Sequence, residues 1–165
     1  MMTDQEYMQI ALDAARDCAD RGEVPVGAVI VRDGEVLAVC GNGREGQKDA
    51  TAHAELSAIR AASAARGGWN LHDCTLYVTL EPCPMCAGAI VNARIPNVVV
   101  GAKDPKAGAF GSVLDLAALP LNHRPQVSFG ILAEESAALL RTFFQNRRAE
   151  GKRWGAAPDP AKKTF

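Results

Sequence analysis

The apolar residues of the first twenty positions recur at steps of three and four. Tyr7, Met8, Ile10, Ala11, Ala14, Ala15 and Cys18 fall on one stripe, which predicts an amphipathic helix from residue 4 to about 21, closed by Gly22. The period then changes. Residues 26–31 and 36–39 are β-branched apolar runs joined by Arg32-Asp33-Gly34-Glu35, and Asp-Gly between two such runs predicts a hairpin. The polar stretch from Gly41-Asn42-Gly43 to Asp49 reads as a loop. Residues 52–65 are Ala-rich, with Leu56 and Ile59 spaced for a second helix that carries His53 and Glu55 at its start. A short strand over 75–80 runs into Glu81-Pro82-Cys83-Pro84, and 85–93 suits a helix opened by Pro84 in its first turn. A buried strand at 97–101, a Gly-rich loop at 104–111, a strand at 126–130 and a helix from about 134 to 148 complete the pattern. Strands alternating with helices predict an α/β sheet covered on both faces.

Length and composition narrow this picture. A chain of 165 residues with 48% hydrophobic content builds a core without staples, so one domain is expected over 1–151. The Pro, Ala and Lys content after Gly151 predicts a flexible tail at 152–165. The acidic N-terminus lacks the basic start and apolar run of a secretory signal, and no stretch approaches a membrane span. A cytoplasmic location is therefore expected, where the five cysteines stay reduced and disulfides poorly explain Cys83 and Cys86.

A net charge of −1 makes no global case for nucleic acid, but the charge is uneven. Residues 1–60 carry 11 acids against 6 bases, whereas residues 141–165 carry 7 bases (Arg141, Arg147, Arg148, Lys152, Arg153, Lys162 and Lys163) against 2 acids. Attraction to phosphate should concentrate there, although a solvated helix face and tail would look the same.

The chemistry lies in His53, Glu55, Cys83 and Cys86. A lone His at a helix start is usually a cap or surface residue, and paired cysteines are often small buried residues. The combination is more specific. Pro82 and Pro84 fix Cys83 at a strand-to-helix turn, where amide dipoles favour thiolate. Three ligands for zinc, rather than four, leave a position for water, the pattern of a catalytic site. Glu55, two residues from His53, is too near to be a comfortable fourth ligand but can reach that water as a proton carrier. His-x-Glu followed by Pro-Cys-x-x-Cys matches the signature of zinc-dependent nucleobase deaminases. A structural zinc or RNA-binding module would instead want a fourth Cys or His and has no use for Glu55. Cys18, Cys40 and Cys74 lie among apolar neighbours and are expected in the core; His72 and His123 stand in polar loops.

From about Tyr7 to Glu150 the chain also resembles the bacterial tRNA-specific adenosine deaminases. The likeness rests on Glu23-Val-Pro-Val-Gly-Ala28, Thr51-Ala-His-Ala-Glu55, Leu76-Tyr-Val-Thr-Leu-Glu-Pro-Cys83, Met85-Cys-Ala-Gly-Ala89, Gly101-Ala-Lys-Asp-Pro-Lys-Ala-Gly-Ala109, Asn122-His-Arg124, Phe143-Phe144 and Arg147-Arg148. The resemblance implies a cytidine-deaminase-like three-layer sandwich, a five-stranded mixed sheet with helices on both faces. It also implies one Zn2+ per subunit on His53, Cys83 and Cys86, Glu55 as proton shuttle, and a homodimer with active sites bordering the partner. The implied reaction is hydrolysis of wobble adenosine-34 to inosine in a tRNA anticodon stem-loop. By the same resemblance Asn42 contacts the flipped purine, backbone near Ala54 and Cys83 holds the base, Asp104 and Lys106 meet the RNA, and Arg147 and Arg148 meet stem phosphates. Two positions depart from the family pattern: Gly41 stands where some relatives have an aromatic residue, and Ala50 where proline is frequent before Thr51. The alternative is a deaminase of a free nucleobase or nucleoside such as guanine or cytosine, which has no use for a phosphate-binding loop and basic helix.

Overall fold

The computed structural model describes residues 1–151; the expected tail, with Lys152, Arg153, Lys162 and Lys163, lies outside the described residues. Helix α1 (Asp4–Asp20) starts at a reciprocal cap, in which the Thr3 hydroxyl accepts the Glu6 N–H and the Glu6 carboxylate accepts the Thr3 N–H at 2.7 Å. Its buried stripe includes Leu12, while Ile10 and Ala14 sit at the margin. The hairpin β1 (Gly27–Arg32) and β2 (Glu35–Gly41) turns through Asp33 and Gly34, whose φ of 50° and 80° are those of a type I′ turn. A short helix α2 (Arg44–Gln47) replaces the expected loop; four residues are too few to show a period. Then follow α3 (Ala54–Arg66), β3 (Cys74–Leu80), α4 (Pro84–Ala93), β4 (Asn97–Ala102), a 3₁₀ turn at Leu116–Ala118, β5 (Gln126–Phe129) and α5 (Ala133–Ala149).

The five strands form one sheet in the order β2-β1-β3-β4-β5. The β1 strand pairs antiparallel with β2 and β3, whereas β3, β4 and β5 run parallel, so the sheet is mixed as expected. Alternate residues feed two cores. Ala28, Ile30, Leu76, Val78, Val98 and Val100 pack with α3 and α4, while Val29, Val31, Tyr77 and Val99 pack with Tyr7, Met8 and Ala11 of α1. Helix α5 joins α1 on its side, where Gly101 leaves room for Ser136 and Ile131. Gly27 is needed for a similar reason, since a Cβ there would overlap the Ala11 carbonyl.

This three-layer arrangement positions the site. The parallel β3-α4-β4 crossover puts the start of α4 at the carboxyl end of β3, and α3 packs beside α4, so two helix N-termini meet at one end of the sheet.

Candidate metal centre and active-site cavity

Both helices begin on unusual residues. His53 is the N-cap of α3 and Cys83 the N-cap of α4, each with extended backbone, and neither side chain caps its helix. Polar caps such as Ser, Thr or Asp satisfy orphan N–H groups, so these helices forgo that stabilisation and turn their N-cap side chains toward each other. His53 Nδ1 stands 3.7 Å from Cys83 Sγ and 3.5 Å from Cys86 Sγ, which α4 contributes from its first turn. All three ligand atoms lie within 4.8 Å of one another, and among the described residues this is the one such group.

The set fits zinc. Ligand atoms 2.0–2.3 Å from one tetrahedral ion stand roughly 3.5–4 Å apart, and one nitrogen with two sulfurs is a donor set zinc favours. Protonation fits as well. A hydrogen bond from the Cys86 thiol, aided by His53, pulls Cys83 down to about 4 despite burial. The Cys83 hydrogen bond raises His53, and the same partner together with burial raises Cys86. One thiolate is thus ready, and the remaining protons are those a cation would displace.

Glu55 lies in the first turn of α3, 4% exposed, with its carboxyl pushed up by burial. It faces a cavity of about 830 Å³ whose lining also includes His53, Cys83, Asn42, Asp104, Lys106 and Arg148. Most residues singled out in the sequence therefore converge. Asn42, 7% exposed, braces this end by accepting the Ala54 N–H (2.9 Å) and donating to the Val24 carbonyl (3.1 Å).

Other expectations fall elsewhere. Ala54 is fully buried and does not line the cavity, and its N–H is already given to Asn42. Arg147 also misses the cavity: its guanidinium donates to the Gly22 carbonyl and covers the Phe143 ring at 5.3 Å, whereas Arg148, one residue and about 100° further round α5, faces the opening. Cys18 and Cys74 are core residues, while Cys40, on edge strand β2, is only half-buried. His72 approaches Arg66, and His123 donates to the Ile95 carbonyl at 2.7 Å; neither joins the metal group.

Sequence reasoning missed part of the rim. Arg44 and Lys103 line the same cavity as Lys106, Arg148 and Arg141, the last of which was named only among the C-terminal bases. Ala137, Arg141, Phe144 and Arg148 recur at steps of three and four, so the cavity-facing stripe of α5 was available as a periodicity. Arg44 gave no such signal.

The family profile of the cytidine and deoxycytidylate deaminase zinc-binding region matches residues 1–102, and a tRNA-specific adenosine deaminase of Bacillus subtilis is 45% identical over 92% of this chain and 95% of its own. The chain belongs to the cytidine and deoxycytidylate deaminase family, among its tRNA-specific adenosine deaminases. A solved structure from a study of A-to-I editing by tRNA:A34 deaminases at the wobble position superposes with a TM-score of 0.80 and 47% identity, covering 82% of this chain and 99% of that one. A guanine deaminase structure from Bacillus subtilis is more distant, at 32% identity and a TM-score of 0.62 over 96% and 98% of the two chains. The deaminase fold, and the zinc site as one of the family's kind, agree with what the sequence implied.

Proposed function

We infer that the chain is a zinc-dependent hydrolase that converts the wobble adenosine of a tRNA anticodon loop to inosine with release of ammonia. The observation that carries this reading is the buried Glu55 beside a three-ligand His/Cys/Cys set, at the bottom of a cavity rimmed by Arg44, Lys103, Lys106, Arg141 and Arg148.

Zinc held by His53, Cys83 and Cys86 supplies Lewis acidity and a water made nucleophilic at neutral pH. The chain's own groups do the rest. The Glu55 carboxylate takes one proton of the attacking water and gives it to the purine ring nitrogen. It then takes the second from the hydroxyl now on C6 and gives it to the amine, which leaves as ammonia when the C6–N bond breaks and the C6 carbonyl forms. Burial, which raises its carboxyl, suits both halves of that exchange. A stacked adenine cannot bring C6 to this depth, so the base must leave the stack, and the walls formed by Val24, Leu80 and Leu140 offer it apolar contact. Asn42, with one amide hydrogen and one lone pair uncommitted, is placed to hold the base edge, and Asp104 and Lys106 to meet flanking nucleotides. The rim cations take phosphates, with Arg141 and Arg148 rather than Arg147 as the contacts on α5.

The relation to guanine deaminase favours a second reading, deamination of a free base on the same zinc site. Ammonia and inosine formation by the zinc-loaded protein separates the two: turnover of an anticodon stem-loop, with free adenosine, adenine, guanine and cytosine inert, supports the RNA reading, and turnover of a free base alone overturns it.

The same reading includes a homodimer. Val113, Leu114, Leu119, Leu121 and Met85 expose large apolar side chains around the α4 start and the 3₁₀ turn, the kind of patch a second copy would cover. Sedimentation at micromolar concentration tests it, with a dimer expected and a monomer contradicting it. One deaminase domain over 1–151 acting in the cytoplasm completes the proposal; no helix among the described residues is long and apolar enough to cross a membrane.

A further inference from the structure

Among the described residues three acids are buried: Glu23 at 3%, Glu55 at 4% and Glu81 at 2% exposure. A buried carboxylate is costly unless it is fully hydrogen-bonded, so each needs a reason. Glu55 has the chemistry. Neither Glu23 nor Glu81 is hydrogen-bonded to the metal group; Glu81 lines the cavity, Glu23 precedes the lining residue Val24, and both accept backbone N–H groups.

Glu81 holds one wall. One oxygen accepts the Asp104 N–H (3.1 Å) and the Ser112 hydroxyl, and the other accepts the N–H groups of Phe110 (3.1 Å) and Ser112 (3.2 Å). Next to it, the Glu81 N–H donates to the Ala102 carbonyl at 2.9 Å and the Pro82 carbonyl accepts from Ala109 at 2.8 Å. The loop that carries Asp104 and Lys106 is thereby fastened at four residues to the dipeptide that also sets Cys83. Gly108 shows how close the fit is, since a Cβ there would collide with the Glu81 carboxylate. Glu23 does the same for the opposite wall: its two oxygens accept the N–H groups of Glu45 (3.1 Å) and Gly46 (2.7 Å), fixing the first turn of α2 and so the base of Arg44.

We propose that Glu23 and Glu81 are positioning residues that hold the two walls of the cavity at the spacing the RNA strand requires, without acting on the metal or the proton transfers. Carboxylates suit this role because they accept only. Each oxygen of Glu81 faces two donors, so an amide in its place would turn an N–H₂ group toward donors and must release at least one end of the loop. The inference rests on the RNA-deaminase reading for its functional half and on backbone geometry alone for its structural half.

The test uses the full zinc-loaded chain, with Glu81→Gln and Glu23→Gln in parallel. Amide hydrogen exchange should accelerate by about tenfold to a hundredfold at Asp104, Phe110 or Ser112 in E81Q, and at Glu45 and Gly46 in E23Q, the range expected for losing hydrogen bonds to a charged acceptor. Zinc content should stay at one per chain, and KM for the stem-loop should rise about tenfold or more while kcat falls far less. Unchanged exchange at these amides would overturn the proposal, as would loss of zinc, or of kcat with KM unmoved, in a folded variant. If E81Q does not fold, E23Q carries the same test on the other wall. Failure of the unsubstituted chain to act on RNA would remove the RNA reading but leave the exchange experiment to decide whether the glutamates hold the walls.

Discussion

At the floor of the cavity, His53, Glu55, Cys83 and Cys86 hang on the first turns of two packed helices, half to fully buried, with nearly every polar atom within reach of another. At its rim, Arg44, Lys103, Lys106, Arg141 and Arg148 come from three separate segments, and all but the half-buried Arg44 are exposed. The floor gains its strength from low dielectric and fixed geometry, so a single lost group is felt in full. The rim works through screened charge on long side chains, so its members act in small, nearly additive and salt-dependent steps. In the proposed function, turnover on the floor and selection of the substrate at the rim are thereby separable.

The sharpest way to break this comparison is at Glu55. Glu55→Ala is expected to lower kcat by about a thousandfold or more while zinc content and folding persist; metal analysis and single-turnover rates check it, and near-normal turnover would take the proton shuttle away from this residue. Removing the metal comes next. Chelation should abolish activity and, because the ion binds only the folded chain, lower Tm by roughly 5–10 °C relative to zinc at about a hundred times its Kd, with both restored by added zinc. Cys83→Ser should mimic the chelated state, read by calorimetry.

Legibility in the sequence followed the same division. The floor could be read because zinc chemistry restricts residue type and the helix starts restrict spacing, so His53, Glu55, Cys83 and Cys86 stood out without knowledge of the fold. The sheet could be read from period-two and period-three-to-four patterns, and the hairpin from Asp33-Gly34. The rim could not. Arg44 rides on a four-residue helix that exists because the carboxylate of Glu23, more than twenty residues earlier, accepts its N–H groups, and no local pattern encodes that contact. Arg147 and Arg148 look equivalent in sequence, and only the packing of α5 against α1 turns one toward Gly22 and the other toward the cavity.

That pair gives a smaller, sharper test. Arg148→Ala should weaken stem-loop binding and reduce the slope of log K against log salt by about 1, the loss of one phosphate contact. Arg147→Ala should leave the salt slope unchanged and cost about 1 kcal/mol of stability, through the lost bond to the Gly22 carbonyl and the exposed Phe143 ring. Titrations at several salt concentrations, alongside denaturant unfolding, distinguish the two.

The smallest effect lies on the far face of the sheet, away from floor and rim. Burial and the hydrogen bond to Asp4, 2.7 Å long, raise the Tyr77 hydroxyl well above its ordinary value of 10.0. The unfolded chain therefore ionises first as pH rises, so the stability Tyr77 contributes is complete below about pH 10 and is lost above it. Tyr77→Phe should flatten the alkaline fall in Tm without altering activity at neutral pH.

The central claim, that this floor deaminates one base chosen by this rim, is tested most directly on a whole tRNA transcript bearing adenosine at the wobble position and elsewhere in its loops. After incubation with the zinc-loaded protein, reverse transcription reads inosine as guanosine at each position. Conversion at the wobble adenosine alone, absent with Glu55→Ala, is the predicted result; an unaltered transcript together with ammonia released from free guanine would contradict it.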